Sequence, residues 1–334
     1  MPQSKDSGDL PDFADVQLAA ARIRDRVRET PVIHEPELDD AFGCQLFFKC
    51  ENLQRTGAFK FRGASHALAR LAEDGITGDV ATHSSGNHGA ALALAARLEG
   101  RCAHVVMPEN ASRVKIEAVR RYGGEIHFCA PTQAAREEGL ASRVESGAIA
   151  VPPYDHPDII AGQGTACLEL LQRIPDLDSV LAPIGGGGLI SGTALVARER
   201  GLTVFGAEPA GADDTARSLE LGRRVASSQP DTIADGLRAL VGVRNFTLIQ
   251  RHVKQVITVS ENEIREAMAV AWRHLRLLIE PSSAVVIAAL RSSADTFAGR
   301  RVGVILSGAN ISPADWLALT ANPAGSHEAH DAAT

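Results

Sequence analysis

Aromatic residues are scarce in this chain of 334 residues, at 4% of the composition, so a hydrophobic core must be built mainly from Ala, Val, Leu and Ile. The five cysteines are scattered without a CxxC pair, which is typical of reduced thiols and unlike a disulfide framework or a zinc site. No stretch has the roughly 20 apolar residues of a membrane span, and the N-terminus lacks the apolar core of a secretory signal. We therefore expect a soluble, cytoplasmic protein that binds no membrane.

An excess of positive charge is also lacking. The formal net charge is -7, from 41 acidic and 34 basic residues, and no basic cluster is interleaved with aromatics. Both observations argue against a general nucleic-acid surface. Net charge by itself identifies no partner.

Short apolar segments alternate with helical patterns along most of the chain. Segments 79–83, 102–107 and 125–130 each precede an amphipathic pattern. The same alternation is found in the second half of the chain, at segments 179–184 and 301–307. This alternation predicts parallel sheets with crossover helices, and hence an α/β architecture. A prior of about 150 residues per domain favours two domains.

Local signals also predict two helix ends. The helical pattern of residues 16–30 is expected to end at Pro31. Ser260 and Glu263 have the spacing of a capping box, which predicts the start of a later helix at this point.

One lysine has an unusual setting. Lys60 stands between Phe59 and Phe61 at the start of a helical pattern. A lysine chosen at random is most often a surface residue with a solvated amine. Apolar surroundings, however, lower the pKa of an amine and suit Schiff-base chemistry. Taken alone, this motif is weak support for a function.

Four motifs, KCENLQRTGAFKFRGA, SSGNHG, GGGG and SGAN, occur in that order. Their order and spacing resemble the fold-type-II pyridoxal-phosphate enzymes, specifically the serine/threonine dehydratase and serine racemase family, which includes 3-hydroxyaspartate dehydratases. The resemblance covers the chain from about Val16 to Pro313. It implies two open, mostly parallel sheets with flanking helices, as in tryptophan synthase β, and a cofactor in the cleft between domains. The implied units are a large cofactor-binding domain (1–78 and 154–322), a small mobile domain (79–153) and a disordered tail (323–334).

The glycine loop consists of Gly185, Gly186, Gly187 and Gly188 between a strand and a helix. Exposed N–H groups at a helix start form an anion site. The alternative is that the four glycines form only a tight turn and bind nothing. A dinucleotide site is disfavoured because no GxGxxG with a following ribose-binding acid is matched. By the resemblance, Lys60 binds pyridoxal 5'-phosphate as a Schiff base and the glycine loop holds its phosphate.

The asparagine loop consists of Ser84, Ser85, Gly86, Asn87 and His88. Its N–H groups and hydroxyls are suited to a substrate carboxylate, but a serine-rich N-cap explains the same pattern. By the resemblance, Asn87 bonds the phenolic oxygen of the cofactor and the loop grips the α-carboxylate of the substrate. Ser85 matches the second catalytic residue of serine racemases, which faces the lysine across the substrate. His88 itself is expected to be a satisfied polar group.

The last motif places Ser307 at the pyridine nitrogen by the same resemblance, with Phe59 among the residues that contact the cofactor. An aspartate there would hold the nitrogen protonated, whereas a neutral hydroxyl leaves the ring a weaker electron sink. This difference favours a lyase or racemase over an aminotransferase. Without the other motifs, Ser307 would be an ordinary strand-ending serine.

Residues 208–214 form an acidic loop with oxygen ligands of the kind that Mg²⁺ or Ca²⁺ prefers. An acidic loop is usually only solvated. The resemblance matches Glu208, the Ala212 carbonyl and Asp214 to the divalent-cation site of serine racemases and related dehydratases. It therefore predicts a structural or activating Mg²⁺, Ca²⁺ or Mn²⁺.

The resemblance implies a dehydratase that converts a small β-hydroxy amino acid into a 2-oxo acid and ammonia, with Lys60 as the base. Serine and threonine are the default substrates, and 3-hydroxyaspartate is the competitor. If Ser85 reprotonates Cα from the opposite face, the enzyme is instead a serine or aspartate racemase. Arg136 aligns with an arginine that can reach a second substrate carboxylate, or is a plain surface residue of a helix. The resemblance also implies a homodimer.

Two further function classes compete with an enzyme. A non-catalytic pyridoxal-phosphate carrier needs only the lysine and a phosphate cradle, and so leaves Asn87 and Ser307 unexplained. A pure interaction module explains none of the ordered motifs.

Overall fold

The computed structural model describes residues 10–84, 86–225 and 229–321. Within these ranges, the strands are β1 (Val32–His34), β2 (Gln45–Cys50), β3 (Val80–His83), β4 (Ala103–Pro108), β5 (Glu125–Cys129), β6 (Ile149–Ala150), β7 (Ser179–Pro183), β8 (Thr203–Pro209), β9 (Gln255–Val259) and β10 (Arg301–Leu306). The helices are α1 (Phe13–Ile23), α2 (Pro36–Phe42), α3 (Lys60–Glu73), α4 (Asn87–Leu98), α5 (Arg113–Arg121), α6 (Gln133–Glu145), α7 (Pro157–Arg173), α8 (Gly188–Glu199), α9 (Asp214–Glu220), α10 (Val243–His252), α11 (Glu261–Val270), α12 (Pro281–Ser292), α13 (Ala294–Phe297) and α14 (Pro313–Thr320). None of these helices combines the length and the apolar character needed to cross a bilayer. The predicted tail, 323–334, lies outside the described residues.

The strands form two sheets. The first has the order β1-β2-β10-β7-β8-β9 and is parallel except for β1, which pairs antiparallel with β2. The second has the order β5-β4-β3-β6 and is parallel throughout. This confirms the predicted α/β architecture with two mostly parallel sheets. The division into domains at 1–78, 79–153 and 154–322 stays a prediction.

Helices cover both faces of the six-stranded sheet, which explains why its central strands are apolar throughout. In β7, Leu181 packs into a core formed with α11 and α12, whereas Val180 and Ala182 pack into a second core with α1, α7 and α8. A third core lies between the four-stranded sheet, α3 and α4. Since α3 also packs against α7, it lies between the two sheets.

Of the two predicted helix ends, one is confirmed and the other is wrong. The capping box is confirmed: Ser260 Oγ accepts a hydrogen bond from the Glu263 N–H, and the Glu263 carboxylate accepts one from the Ser260 N–H. The extension of the first helix to Pro31 is wrong, because α1 ends at Ile23. Beyond this end, the N–H of Arg28 donates to the Gln54 side chain at 2.9 Å, so tertiary contacts replace the helical bonds.

A buried ion-pair network holds the start of α3. Arg62 and Glu51 are fully buried, and Nε and Nη2 of Arg62 donate to the two Glu51 oxygens at 2.7 and 2.8 Å. Nη1 and Nη2 also donate to Glu169 of α7 at 2.7 Å each. Burial acts to raise the pKa of Glu51, but attraction to and hydrogen bonds from Arg62 outweigh burial and leave this pKa lowered. Because Lys60 is only two residues away, the network fixes the backbone from which that lysine projects.

We expect the substitution Arg62→Ala to destabilise the fold strongly, because it leaves the fully buried Glu51 carboxylate without the arginine that pairs with it. Removing one member of a buried ion pair costs about 3–5 kcal/mol, measurable as the free energy of unfolding in urea. The control Arg113→Ala removes an arginine that pairs with Glu117 on the surface of α5, and should leave stability unchanged within error. Equal losses in the two variants would contradict the proposed role of the network.

Candidate active site

The carboxyl end of β10 contacts the segment that leads into Lys60. Ala58 forms an isolated antiparallel bridge with Gly308, and the N–H of Phe59 donates to the Ser307 carbonyl at 3.1 Å. The Ser307 side chain is buried. The structure therefore places Ser307 next to the segment of Phe59 and Lys60, although Ser307 lies far from both in the sequence.

Asn310 joins the asparagine loop to the same place. Its Nδ2 donates to the Thr56 carbonyl at 2.8 Å and to Asn87 Oδ1 at 2.9 Å. Asn87 is the first residue of α4 and follows β3 of the four-stranded sheet. One amide side chain thus links the two sheets across the predicted site.

Lys60 is the first residue of α3, and its side chain is half-buried. The Nζ atom donates to the Pro153 carbonyl at 2.7 Å and lies 5.1 Å from the ring centroid of Phe59. Removal of the ammonium from bulk water lowers the pKa of Lys60 to about 8. An amine with this pKa is partly neutral near physiological pH, as a nucleophile or a base must be.

The glycine loop leaves its backbone open at the start of α8. Gly187 has φ +92°, which disfavours side chains, and a Cβ on Gly185 would lie 3.0 Å from the Gly236 carbonyl oxygen. Within the described ranges, the N–H groups of Gly185, Gly186 and Gly187 have no backbone acceptor. Unsatisfied N–H groups at the start of a helix fit an anion such as a phosphate.

Tyr154, which the sequence did not single out, connects the glycine loop to Lys60. A Cβ on Gly186 would lie 2.3 Å from the Tyr154 ring, so only glycine permits this contact. The centroid of the same ring lies 5.9 Å from Lys60 Nζ. A half-buried amine beside a cradle of open N–H groups fits a cofactor that carries both an aldehyde and a phosphate.

Glu280 is a second residue that sequence reasoning missed. Its carboxylate is buried and accepts hydrogen bonds from Asn87 Nδ2 at 2.8 Å and from the Asn310 N–H at 3.1 Å. Burial is the main cause that raises the pKa of Glu280 to about 7. The Glu280-Pro281 pair signals a helix start, but no local pattern predicts a contact with Asn87, which is 193 residues away.

The other members of the asparagine loop have different surroundings. Ser84 Oγ accepts a hydrogen bond from the Gly86 N–H at 3.3 Å, which shapes the turn before α4. His88 is buried, Nε2 lies 3.2 Å from the Val151 carbonyl, and burial lowers the pKa of His88 to about 3. The neutral ring is bonded to backbone through Nε2, but its buried Nδ1 has no hydrogen-bond partner among the described residues, so the expectation of a satisfied polar group holds for one ring nitrogen only. Ser85, the predicted second catalytic residue, lies outside the described residues.

Arg136 lies on α6 and is half-buried, and its Nε donates to the Thr132 carbonyl of its own helix at 3.3 Å. Burial lowers the pKa of His83, the last residue of β3, and the charge of Arg136 lowers it further. Arg136 is therefore close to the strand end from which the asparagine loop begins.

Lys115 is another cation near this loop and was not predicted. It is buried and pairs with Asp235, and a Cβ on Gly86 would lie 3.9 Å from its Nζ. Because Asp235 balances its charge, Lys115 is less available to a substrate carboxylate than Arg136.

The acidic loop brings two buried carboxyl groups together. The Glu208 oxygens accept hydrogen bonds from the N–H groups of Thr215 and Ala216, and Asp214 Oδ2 accepts one from the Val241 N–H. Burial, and further the charge of Asp214, raises the pKa of Glu208 to about 8. Among the described residues, neither acid forms an ion pair with a basic side chain, which fits a site for a cation, because a bound divalent ion would neutralise both acids.

The sequence and fold were compared with known proteins. The family model "Pyridoxal-phosphate dependent enzyme" matches residues 23–308. A β-hydroxyaspartate dehydratase of Paracoccus denitrificans is 45% identical over 90% of this chain and 97% of that protein. A serine racemase of Dictyostelium discoideum is 42% identical over 89% and 94%, respectively. The structure of maize serine racemase superposes with a TM-score of 0.89 at 40% identity, covering 93% of this chain and 97% of that chain. These matches confirm the predicted resemblance and fold type.

We expect apoprotein mixed with pyridoxal phosphate to acquire a visible absorbance band through Lys60. Since the neutral amine reacts, the initial rate should rise with pH up to the Lys60 pKa of about 8 and then level off. An exposed lysine would continue to gain reactivity up to about pH 10.4. Stopped-flow absorbance measures this profile.

In the same assay, Lys60→Ala should form no band that borohydride can trap. Lys254→Ala, at an exposed lysine, should behave as the unsubstituted protein does. Uptake that persists without Lys60 would refute its assignment as the cofactor lysine.

Proposed function

Because the chain belongs to the pyridoxal-phosphate-dependent enzyme family, we propose that it is a dehydratase, an ammonia-lyase that converts a small β-hydroxy amino acid into a 2-oxo acid and ammonia. The observation that carries this proposal is the half-buried Lys60 amine, with its lowered pKa, at the junction of the glycine loop, the asparagine loop and the end of β10. We favour 3-hydroxyaspartate as the substrate, with serine and threonine as alternatives, because of the relative named for that activity.

The site residues have distinct roles toward the cofactor. Lys60 would bind it covalently, the N–H groups of the glycine loop would hold its phosphate, Asn87 its phenolic oxygen and Ser307 its pyridine nitrogen. When bound, pyridoxal phosphate supplies the electron sink that stabilises the charge left on Cα. A neutral serine at the nitrogen supports elimination over transamination.

Lys60 is also the proposed general base. In its neutral form Nζ would accept the Cα proton, and the Pro153 carbonyl, 2.7 Å away, would keep this amine in place. Loss of the β-hydroxyl as water leaves an unsaturated amine, and its hydrolysis yields the 2-oxo acid and ammonia. The N–H groups at the start of α4 would bind the α-carboxylate.

Ammonia and 2-oxo acid release should be measured with 3-hydroxyaspartate, serine and threonine, with chiral analysis of the remaining amino acid. We expect release from at least one of them and none from Lys60→Ala. Enantiomer formation that exceeds ammonia release would favour the racemase alternative, which the 42% identical serine racemase supports. Cofactor absorbance without either product would indicate a non-catalytic carrier.

Arg136 is the proposed contact for the second carboxylate of 3-hydroxyaspartate. A hydrogen bond to a charged group contributes about 1.5–3 kcal/mol, so Arg136→Met should raise the KM for this substrate by at least about tenfold. The KM for serine, which has no second carboxylate, should not change. Arg143→Met, on the same helix, is the control, and equal effects on the two substrates would refute the assignment.

We further propose that Glu208, the Ala212 carbonyl and Asp214 bind Mg²⁺, with Ca²⁺ or Mn²⁺ as alternatives. Chelation should then lower the thermal midpoint of the holoenzyme, and added Mg²⁺ should restore it, because the ion neutralises buried acids. Glu208→Gln should remove the recovery with Mg²⁺, whereas Asp213→Asn, at the neighbouring acid, should retain it. A homodimer and a cytoplasmic location also stay predictions.

A further inference from the structure

Five side chains of metal-binding type lie together at the amino ends of β3, β4 and β5, at the opposite ends of these strands from the asparagine loop. They are Asp79, Cys102, His104, Glu125 and His127. None of them belongs to the proposed active site or to the acidic loop.

The strand register explains why they meet. His104 is paired with Glu125 in the parallel ladder of β4 and β5, and Val106 with His127. Side chains two residues apart project from the same face of a sheet, so His104, Glu125 and His127 share one face. Ala81 pairs with His104 on the other side, which places Asp79 on the same face as well.

Three of these residues have the spacing of ligands around one ion. His104 Nδ1 lies 3.1 Å from His127 Nε2, and the two nitrogens lie 3.5 Å from the nearer oxygens of Glu125. Two ligands of a tetrahedral Zn²⁺, each about 2.0–2.2 Å from the metal, are roughly 3.3 Å apart. The triangle therefore matches such a site without rearrangement of the backbone.

Asp79 is placed to orient one of the imidazoles. Its Oδ2 lies 3.6 Å from Nε2 of His104, the ring nitrogen that faces away from His127. Histidines that bind a metal commonly donate their other ring N–H to a carboxylate.

We propose that His104, Glu125 and His127 bind a divalent transition metal, with Zn²⁺ as the ion that this donor set favours. Two imidazoles and one carboxylate suit Zn²⁺ better than Mg²⁺ or Ca²⁺, which prefer oxygen donors. The fourth position is left for water or for Cys102, whose Sγ lies 3.9 Å from the Glu125 carboxylate. Because the ligands come from separate strands, no short spacing motif marks them in the sequence.

The site would tie an edge strand to its sheet. β5 lies at the edge of the four-stranded sheet and pairs only with β4 among the described strands. A metal held by His104 of β4 and by Glu125 and His127 of β5 joins these strands through their side chains. Its role is therefore stabilisation of this sheet, with no part in the reaction.

The test is a titration of chelator-treated holoenzyme with ZnCl₂ in excess Mg²⁺, which occupies the acidic loop. Isothermal calorimetry and metal analysis should give one Zn²⁺ per chain. His127→Gln and Glu125→Gln should each weaken binding by more than about 100-fold, and Asp79→Asn by about 10–100-fold, the usual range for residues behind the ligands. His252→Gln, a half-buried histidine at the end of α10, is the matched control and should bind as the unsubstituted protein does.

Cobalt provides a second readout, because tetrahedral Co²⁺ with nitrogen ligands absorbs in the visible range beyond the cofactor band. This absorption should appear in the unsubstituted protein and in His252→Gln, and be absent from His127→Gln. The cofactor band and circular dichroism of each variant report whether it is folded. Absence of stoichiometric Zn²⁺ in the unsubstituted protein, or full binding by folded His127→Gln and Glu125→Gln, would overturn the proposal.

Discussion

Arg62 is enclosed by Glu51 and Glu169, and each carboxylate accepts two of its N–H groups. The charges of Arg62 and Glu51, both fully buried, are costly to remove from water, and their mutual attraction offsets this cost only when the geometry is kept. The network therefore allows very little freedom to the first turn of α3. Lys60 lies on that turn, so the position of its amine depends on charges buried on the other side of the helix.

Close packing of α3 against α7 reinforces this constraint. A Cβ on Gly162 would lie 2.6 Å from the Cα of Gly63, so the two helices approach too closely for any side chain at this point. Glu169 lies further along α7 and takes part in the ion pairs with Arg62. Close packing and ion pairing with α7 thus both position the first turn of α3.

The active site is assembled by polar side chains that reach between the sheets. Asn310 contacts both Thr56 and Asn87, and Glu280 accepts from Asn87 and from the Asn310 backbone. Because the pKa of Glu280 is about 7, the charge of this carboxylate depends on the charge of a ligand bound in the site. The four-stranded sheet thus has two separate polar regions: its carboxyl end carries Asn87 of the proposed active site, and its amino end carries the histidine cluster.

The sequence by itself determined what depends on neighbours along the chain. Alternating apolar strands and helices predicted the α/β fold, Ser260 and Glu263 predicted a cap, and four ordered motifs indicated the family. Only the tertiary structure decided that α1 ends at Ile23 and that, further along at Arg28, the side chain of Gln54 bonds the backbone. The roles of Glu280, Tyr154 and the cluster around His104 also required it, because these contacts join residues far apart in sequence. Hydrogen bonding and burial depend on spatial distance, and for such residues only the folded chain establishes that distance.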